Sequence, residues 1–238
     1  FFGAVLMRSA GCIVNDILDK DFDKKVFRTK NRPIASGKIS IKAAIFYAAF
    51  LCLLALFVLL NFNQFTIILA LGSMPLAFTY PLMKRFTYWP QLFLGVTFNY
   101  GLILGWTAIK GEIDIIPVIF YLGAIFWTLG YDTIYGYQDL KDDEIIGLKS
   151  TSIKFKGNEK KFLFICYILL ISFFLIGGYL MEFIKIYYVL MIIPCLHLFF
   201  YQMKVFNSKD LLSCLKVFKS NNIFGLIIYL NILIVKIF

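Results

Sequence analysis

Four carboxylates fall within eight residues, Asp16, Asp19, Asp21 and Asp23, in the stretch "AGCIVNDILDKDFDKK" at 10–25. Asn15, Asp19 and Asp23 are spaced i, i+4, i+8. On a helix each step of four turns the face by only about 40°. These three side chains would then form one stripe reaching a common point, with Asp16 and Asp21 turned elsewhere. A second acidic group lies in "YDTIYGYQDLKDDEIIGLKST", residues 131–151. Asp139 and Asp143 are again i, i+4. Asp132, seven residues before Asp139, falls two turns away on nearly the same face, while Asp142 and Glu144 point off it. Carboxylates crowded on one face repel each other unless cations lie among them. Hard oxygen ligands, carboxylates with one amide, suit Mg²⁺. That ion takes one or two protein carboxylates and completes its octahedron with waters and phosphate oxygens. Two facing stripes could hold two ions with a diphosphate between them. Neither stretch has the alternating ligands and central glycine of a calcium loop.

Basic residues follow each acidic group. Lys24, Lys25, Arg28, Lys30 and Arg32 follow the first, and Lys149 and Lys154 the second. Cations beside such a site can clamp phosphate oxygens and stabilise charge on a leaving diphosphate. Lys24, Lys25 and Lys30 read as ordinary topogenic charge. Arg28 and Arg32, i, i+4 and just ahead of the helix-ending Pro33, read as functional. The competing reading of the acids is a pair of solvated loops whose carboxylates pair with neighbouring lysines. Two stripes of the same helical phase argue against it.

The elements that must carry these residues are membrane helices. The chain has 238 residues, is 61% hydrophobic and has a mean hydropathy of +0.81, against roughly 45–50% apolar in soluble domains. Apolar spans are expected at about 1–14, 41–60, 64–83, 91–109, 115–131, 162–180, 186–203 and 222–238. The first is too short to cross alone, and the chain starts at Phe1. The expectation is that the rest of this helix and at least one more precede the sequence. The net charge of +10 resembles a nucleic-acid signal, yet its distribution says otherwise. Residues 15–42, 84–85, 132–161 and 204–219 hold twenty of the 24 Lys and Arg, and the alternate segments hold almost none. This is the positive-inside pattern. It puts both acidic groups on the cytoplasmic side and leaves nucleic acid without a role. The five scattered cysteines form no C-x-x-C pair and read as packing, as does the single histidine, His197. No Cys–His or Ser–His–Asp chemistry is expected. Gly101 and Gly105 form a G-x-x-x-G that reads as helix packing. Pro75 and Pro194 should kink their helices.

At this point the residues resemble a known family. "NDILDKDFD" fits the N-D-x-x-D-x-x-x-D motif of the UbiA superfamily of intramembrane prenyltransferases, and "RTKNRPIASG" fits the block that follows it. "YDTIYGYQDLKDDEIIGLKST" and "YPLMKRFTYWPQLFLG" (80–95) resemble the branch of 4-hydroxybenzoate polyprenyltransferases of ubiquinone synthesis. Haem O synthases share the first aspartate motif and the arginine and K-R-x-T blocks. They lack the aspartate-rich D-x-x-x-D with "IGLKST" and favour Asn where this chain has "WPQ". The resemblance covers nearly the whole chain and misses the family's first helix.

The resemblance implies an all-α, polytopic helix bundle, about eight of nine family helices being present, as one domain over 1–238. Cytoplasmic caps carrying both aspartate motifs would cover a central cavity with a lateral opening. Asn15, Asp19 and Asp23 would hold one Mg²⁺, and Asp139 and Asp143 the other, with Arg28, Arg32 and Lys149 on the diphosphate. Asp132 would either orient the phenol or take its proton, or serve as a third ligand to the second ion. Arg85, in "MKRFT", would bind the acceptor's carboxylate. The alternative is that Lys84 and Arg85 only set topology. Tyr131, Tyr135 and Tyr137 would shield an allylic cation. The reaction implied is Mg²⁺-dependent transfer of a polyprenyl group from its diphosphate to 4-hydroxybenzoate, ortho to the hydroxyl. No obligate protein partner is inferred. Richness in Lys, Ile, Asn and Phe suggests an AT-rich genome, so a bacterial inner membrane is favoured over a mitochondrial one. Rival readings are prenyl transfer to another acceptor, haem included, and an ion or proton transporter. A transporter would need acids near the midplane. CDP-alcohol phosphotransferases would need a D-G after the first aspartates, where Asp23 is followed by Lys24.

Overall fold

A chain this apolar must satisfy its backbone internally, and it does so with helices. The computed structural model describes residues 1–237; Phe238, the end of the last expected span and of the expected domain, lies outside the described residues. In chain order the elements are α1 (Phe2–Leu18), α2 (Lys20–Asp23), α3 (Ile41–Leu59), α4 (Gln64–Thr79), a 3₁₀ turn (Tyr80–Leu82), α5 (Met83–Phe86), α6 (Pro90–Lys110), α7 (Ile115–Gly136), α8 (Leu140–Ile146), α9 (Thr151–Lys154) and α10 (Glu159–Leu180). Then come α11 (Lys185–Leu190), α12 (Ile192–Cys195), a π-helix (Leu196–Gln202), α13 (Met203–Val205) and α14 (Leu211–Ile237). Among the described residues, seven segments are long and apolar enough to cross a bilayer: 41–59, 64–86, 90–110, 115–136, 159–180, 185–205 and 211–237. With the shorter α1 they match the eight expected spans. The last begins eleven residues earlier than expected. Lys216 and Lys219 read as loop by charge, but lysine is a good helix former and can snorkel from a helix end.

The chain folds as two compact units, residues 1–113 with 139–149, and 114–138 with 150–238. In the first, α1 packs on α3, and both helices bury small residues, Ala10 on α1 and Ala44, Ala48 and Ala55 on α3, which let backbones approach. Ser40 caps α3 by accepting from the Ala43 N–H at 3.2 Å, and Asn63 caps α4 by accepting from Thr66 at 2.9 Å. The Asn63 amide also donates to the Thr107 carbonyl at 2.8 Å, tying the start of α4 to the end of α6. In the second unit, α7 packs on α10. A Cβ on Gly123 would sit 2.6 Å from the Phe174 ring, and one on Gly177 would sit 2.7 Å from Phe120. Those glycines carry the close helix contact. The expected packing role of Gly101 and Gly105 is not seen, because nothing lies within 4 Å of where their Cβ atoms would be. α4 runs through Pro75 without interruption, whereas Pro194 precedes the π-helix in an irregular span. All five cysteines are free. His197 is half-buried beside Tyr201 and Phe224, as expected of a packing residue.

Candidate functional site

The first acidic segment does not form the continuous helix expected of it. α1 stops at Leu18, and Asp19 joins it to α2 with φ −95° and ψ 0°. The i, i+4 relation survives in the backbone: the Asp19 N–H donates to the Asn15 carbonyl at 2.9 Å, and Asp23 to Asp19 at 2.8 Å. Asp19 and Asp23 are both buried. Lys84 donates to Asp19 Oδ2. Asp19 Oδ1 is buried with no hydrogen-bond partner, and the Arg85 guanidinium stands 4.0 Å away. Burial raises the Asp19 carboxyl above its ordinary range, against the opposing pull of Lys84.

Asp16 does not point elsewhere, as its helical phase suggests. One Arg32 nitrogen bridges Asp16 Oδ1 at 2.9 Å and Asp23 Oδ2 at 3.0 Å. Asp21 does stay outside, exposed and 3.5 Å from Lys24, which fits the ordinary reading of that lysine. Residues 24–39 form turns, so Arg28 and Arg32 are not helical neighbours. The turns send them to different acids.

Arg28 meets the second acidic group. Its Nε donates to Asp139 Oδ1 at 2.8 Å and its terminal nitrogen to Oδ2, a two-pronged pair across 111 residues of sequence. The Phe27 N–H donates to Asp142 Oδ2 at 3.2 Å, so Asp142 also joins the cluster rather than pointing off it. Asp139 precedes α8, and the Asp143 N–H donates to its carbonyl at 2.9 Å. Asp143 is pushed up to about 6, first by burial and then by the Asp139 carboxylate, with Lys84 pulling the other way. The expected two-turn register between Asp132 and Asp139 fails. α7 ends at Gly136, and residues 137–139 break the helix before α8. Asp132 belongs to the second unit, with Tyr131, Tyr135 and Tyr137. There Tyr131 and Tyr135 pack on Phe218 with centroids 5.9 and 4.5 Å apart, and the buried Tyr137 packs on Phe206.

Gly147, at φ +79°, ends α8 and turns the chain. The Lys149 N–H then reaches the Lys84 carbonyl at 2.8 Å, and Lys149 Nζ donates to the Phe86 carbonyl at 3.1 Å. Arg85 donates to the Leu18 carbonyl at 2.6 Å. The residue that sequence reasoning missed is Lys84. Its signal was present in the "KR" doublet, and only the fold distinguishes a topogenic lysine from one aimed at a buried acid. Among the described residues, no three Asp, Glu, His or Cys side chains form a group ready to hold a metal. Asp16, Asp19, Asp23 and Asp139 are each met by one of the chain's own cations. The donor set nevertheless fits a hard divalent ion. It offers oxygen ligands only, one of them the unpartnered Asp19 Oδ1 and another an Asp143 carboxyl held near its protonation point.

The family profile described as "UbiA prenyltransferase family" matches residues 1–227. The rat (Rattus norvegicus) protein named "4-hydroxybenzoate polyprenyltransferase, mitochondrial" is 43% identical over 237 residues. That match covers 98% of this chain and 62% of the rat protein, so the chain spans less than two thirds of that relative's length. Among solved structures, an apo UbiA homolog from Aeropyrum pernix K1 superposes with a TM-score of 0.82 at 22% identity, covering 98% of this chain and 90% of that one. A UbiA homolog from Archaeoglobus fulgidus bound to GPP and Mg²⁺ gives 0.72 at 19% identity, covering 99% and 88%.

Proposed function

The chain belongs to the UbiA prenyltransferase family and is an integral membrane protein, and from that premise we propose that it transfers a polyprenyl group from polyprenyl diphosphate to 4-hydroxybenzoate, ortho to the hydroxyl, in ubiquinone synthesis. The observation that carries the proposal is the single cluster in the first unit. Arg28 on Asp139, Arg32 on Asp16 and Asp23, and Lys84 on Asp19 gather both aspartate groups with the cations a diphosphate needs. The acceptor is supported by the name of the rat relative and by Arg85 at the edge of the cluster. The match over residues 1–227 runs through both units and supports one domain over 1–238.

In this reading Asn15, Asp19 and Asp23 hold one Mg²⁺, and Asp139 and Asp143 hold the other. When bound, the ions neutralise the diphosphate and make it a better leaving group. Mg²⁺ is supported by the donor set and by the Archaeoglobus homolog described with that ion. Arg28, Arg32 and Lys149 supply hydrogen bonds to diphosphate oxygens once the carboxylates are otherwise engaged. The allylic C–O bond then breaks, with its electron pair leaving on the diphosphate. The ring carbon beside the phenol attacks the cation, and a ring proton leaves. Tyr131, Tyr135 and Tyr137 shield the cation, each aromatic face contributing about 0.5–2 kcal/mol. Asp132 orients the phenol or takes its proton, or serves as a third ligand to the second ion. Arg85 fixes the acceptor's carboxylate.

The membrane is proposed as an inner membrane, with the site facing the lysine-rich side. A bacterial placement rests on composition, while the rat relative's name speaks for a mitochondrion. Fractionation of source cells separates the two. The reaction is tested with membranes carrying the protein, labelled 4-hydroxybenzoate and a short prenyl diphosphate, with and without Mg²⁺. Mg²⁺-dependent product that disappears in both Asp19→Ala and Asp139→Ala supports the reaction and the two-motif site. Folded protein that makes no product with any chain length sinks the acceptor, and other aromatic acceptors and haem follow.

A further inference from the structure

The second unit carries a groove unrelated to the acid cluster. Its walls are α10 and the segment from α11 to the π-helix, and its volume is about 560 Å³. Phe164, Ile168 and Leu175 line one wall, and Ile192, Leu196 and Phe200 the other. Among the described residues, no charged one lines it. Phe164 and Phe199 join the two walls edge to face at 5.4 Å. From Phe164 to Leu175 the helix rises about 16 Å, close to the hydrocarbon depth of one leaflet. Both walls belong to bilayer-crossing spans, so the groove opens on lipid tails.

Its far wall is fixed from behind. The fully buried Gln202, at the end of the π-helix, accepts from the Tyr167 hydroxyl at 2.6 Å and donates to Ser220 Oγ at 3.1 Å. A π-helix widens the turn by one residue, and here the widened turns supply Leu196, Phe199 and Phe200 to the groove.

Lysines gather at one end only. Lys160 lies i, i+4 before Phe164, and Ile168 continues that row. Lys161 is the next residue, and Lys204 lies four past Phe200 on the opposite wall. All three are exposed. The neighbouring carboxylate, Glu159, accepts from Ser208. The charge count places this end on the positive side of the membrane.

We propose that the groove seats one acyl chain of an anionic phospholipid, with its phosphate held by Lys160, Lys161 and Lys204. The one-leaflet depth suits a single acyl chain, and the cationic mouth selects against a zwitterionic headgroup. Juxtamembrane lysines contribute about fivefold each towards an anionic lipid.

The test uses the full chain in mild detergent, exposed equally to phosphatidylglycerol and phosphatidylcholine at low salt, with retained lipid counted by native mass spectrometry. Phosphatidylglycerol should be retained at least about fivefold over phosphatidylcholine. The excess should fall stepwise as Lys160→Gln, Lys161→Gln and Lys204→Gln are combined. Leu196→Trp, which fills the groove without changing charge, should remove it too. The lysines are exposed at helix ends, so the lysine series stays decisive even where the tryptophan variant fails to fold. Equal retention of the two lipids overturns the proposal. So does an excess that survives the triple lysine variant, because the lipid then sits elsewhere. Displacement of the lipid by geranyl diphosphate alone, or by a second copy of the chain, would assign the groove to those occupants instead.

Discussion

The two oxygens of Asp19 have different fates: one accepts from Lys84, and the other is buried with no hydrogen-bond partner. Lys84→Met therefore strands a buried carboxylate. Breaking such a pair costs about 3 kcal/mol, expected as a lowered melting temperature in metal-free detergent. Adding Asp19→Asn should recover most of the loss, and a double-mutant cycle measures the coupling. Asp143 gives a pH test with a definite sign. Its folded value of about 6 lies above the ordinary carboxylate value of 3.8, so between those values the native state binds more protons than the unfolded one. Stability from this group is full below about pH 4 and declines as pH rises to about 6 without divalent cation. Asp143→Asn should flatten that decline in a melting series, and a slope unchanged in the variant would remove Asp143 as its source. The acids themselves were legible, since residue type and spacing suffice to suspect a metal or phosphate site. The role of Lys84 was not, because a doublet of cations between helices looks the same whether it sets topology or enters a core.

Helix existence was plain at the scale of elements, because runs of about 20 apolar residues leave few alternatives. Helix continuity was not. The periodic argument carried α1 through Asp23 and α7 into α8, yet the chain breaks at Asp19 and again at residues 137–139. Both breaks fall at an aspartate, a residue of low helix propensity, whose side chain turns to a basic partner: Asp19 to Lys84 and Asp139 to Arg28. They also correct the positions of Asp16 and Asp142, which join the cluster because the helix they were plotted on ends beneath them. Gly147 turns α8 back so that Lys149 can pair with Lys84, and its φ of +79° is one that side chains resist. Gly147→Ala should cost about 1 kcal/mol. If the site works as proposed, the variant should also weaken diphosphate binding more than binding of the aromatic acceptor, read as separate KM values.

For the whole molecule, the pairing of Asp16, Asp19, Asp23 and Asp139 with Arg32, Lys84 and Arg28 leaves much of the acid cluster self-neutralised without ligand. Mg²⁺ with inorganic diphosphate should therefore raise the melting temperature more than either alone. At a hundredfold excess over Kd the gain is about 2.7 kcal/mol, and Asp139→Ala should abolish it. An equal response in that variant would move the metal away from the second motif. The path of the chain adds a constraint in time. Residues 139–149 return to the first unit only after synthesis of the second has begun. At about 5–20 residues per second, Arg28 leaves the ribosome roughly 6–20 s ahead of the Asp139 it pairs with, 111 residues later. Arg32 meets Asp16 and Asp23 within moments of its own synthesis, while the second motif arrives as a late clasp. A ribosome stalled before codon 139 thus holds a first unit in which α1 to α6 are made and the closing segment that carries α8 has not yet been translated.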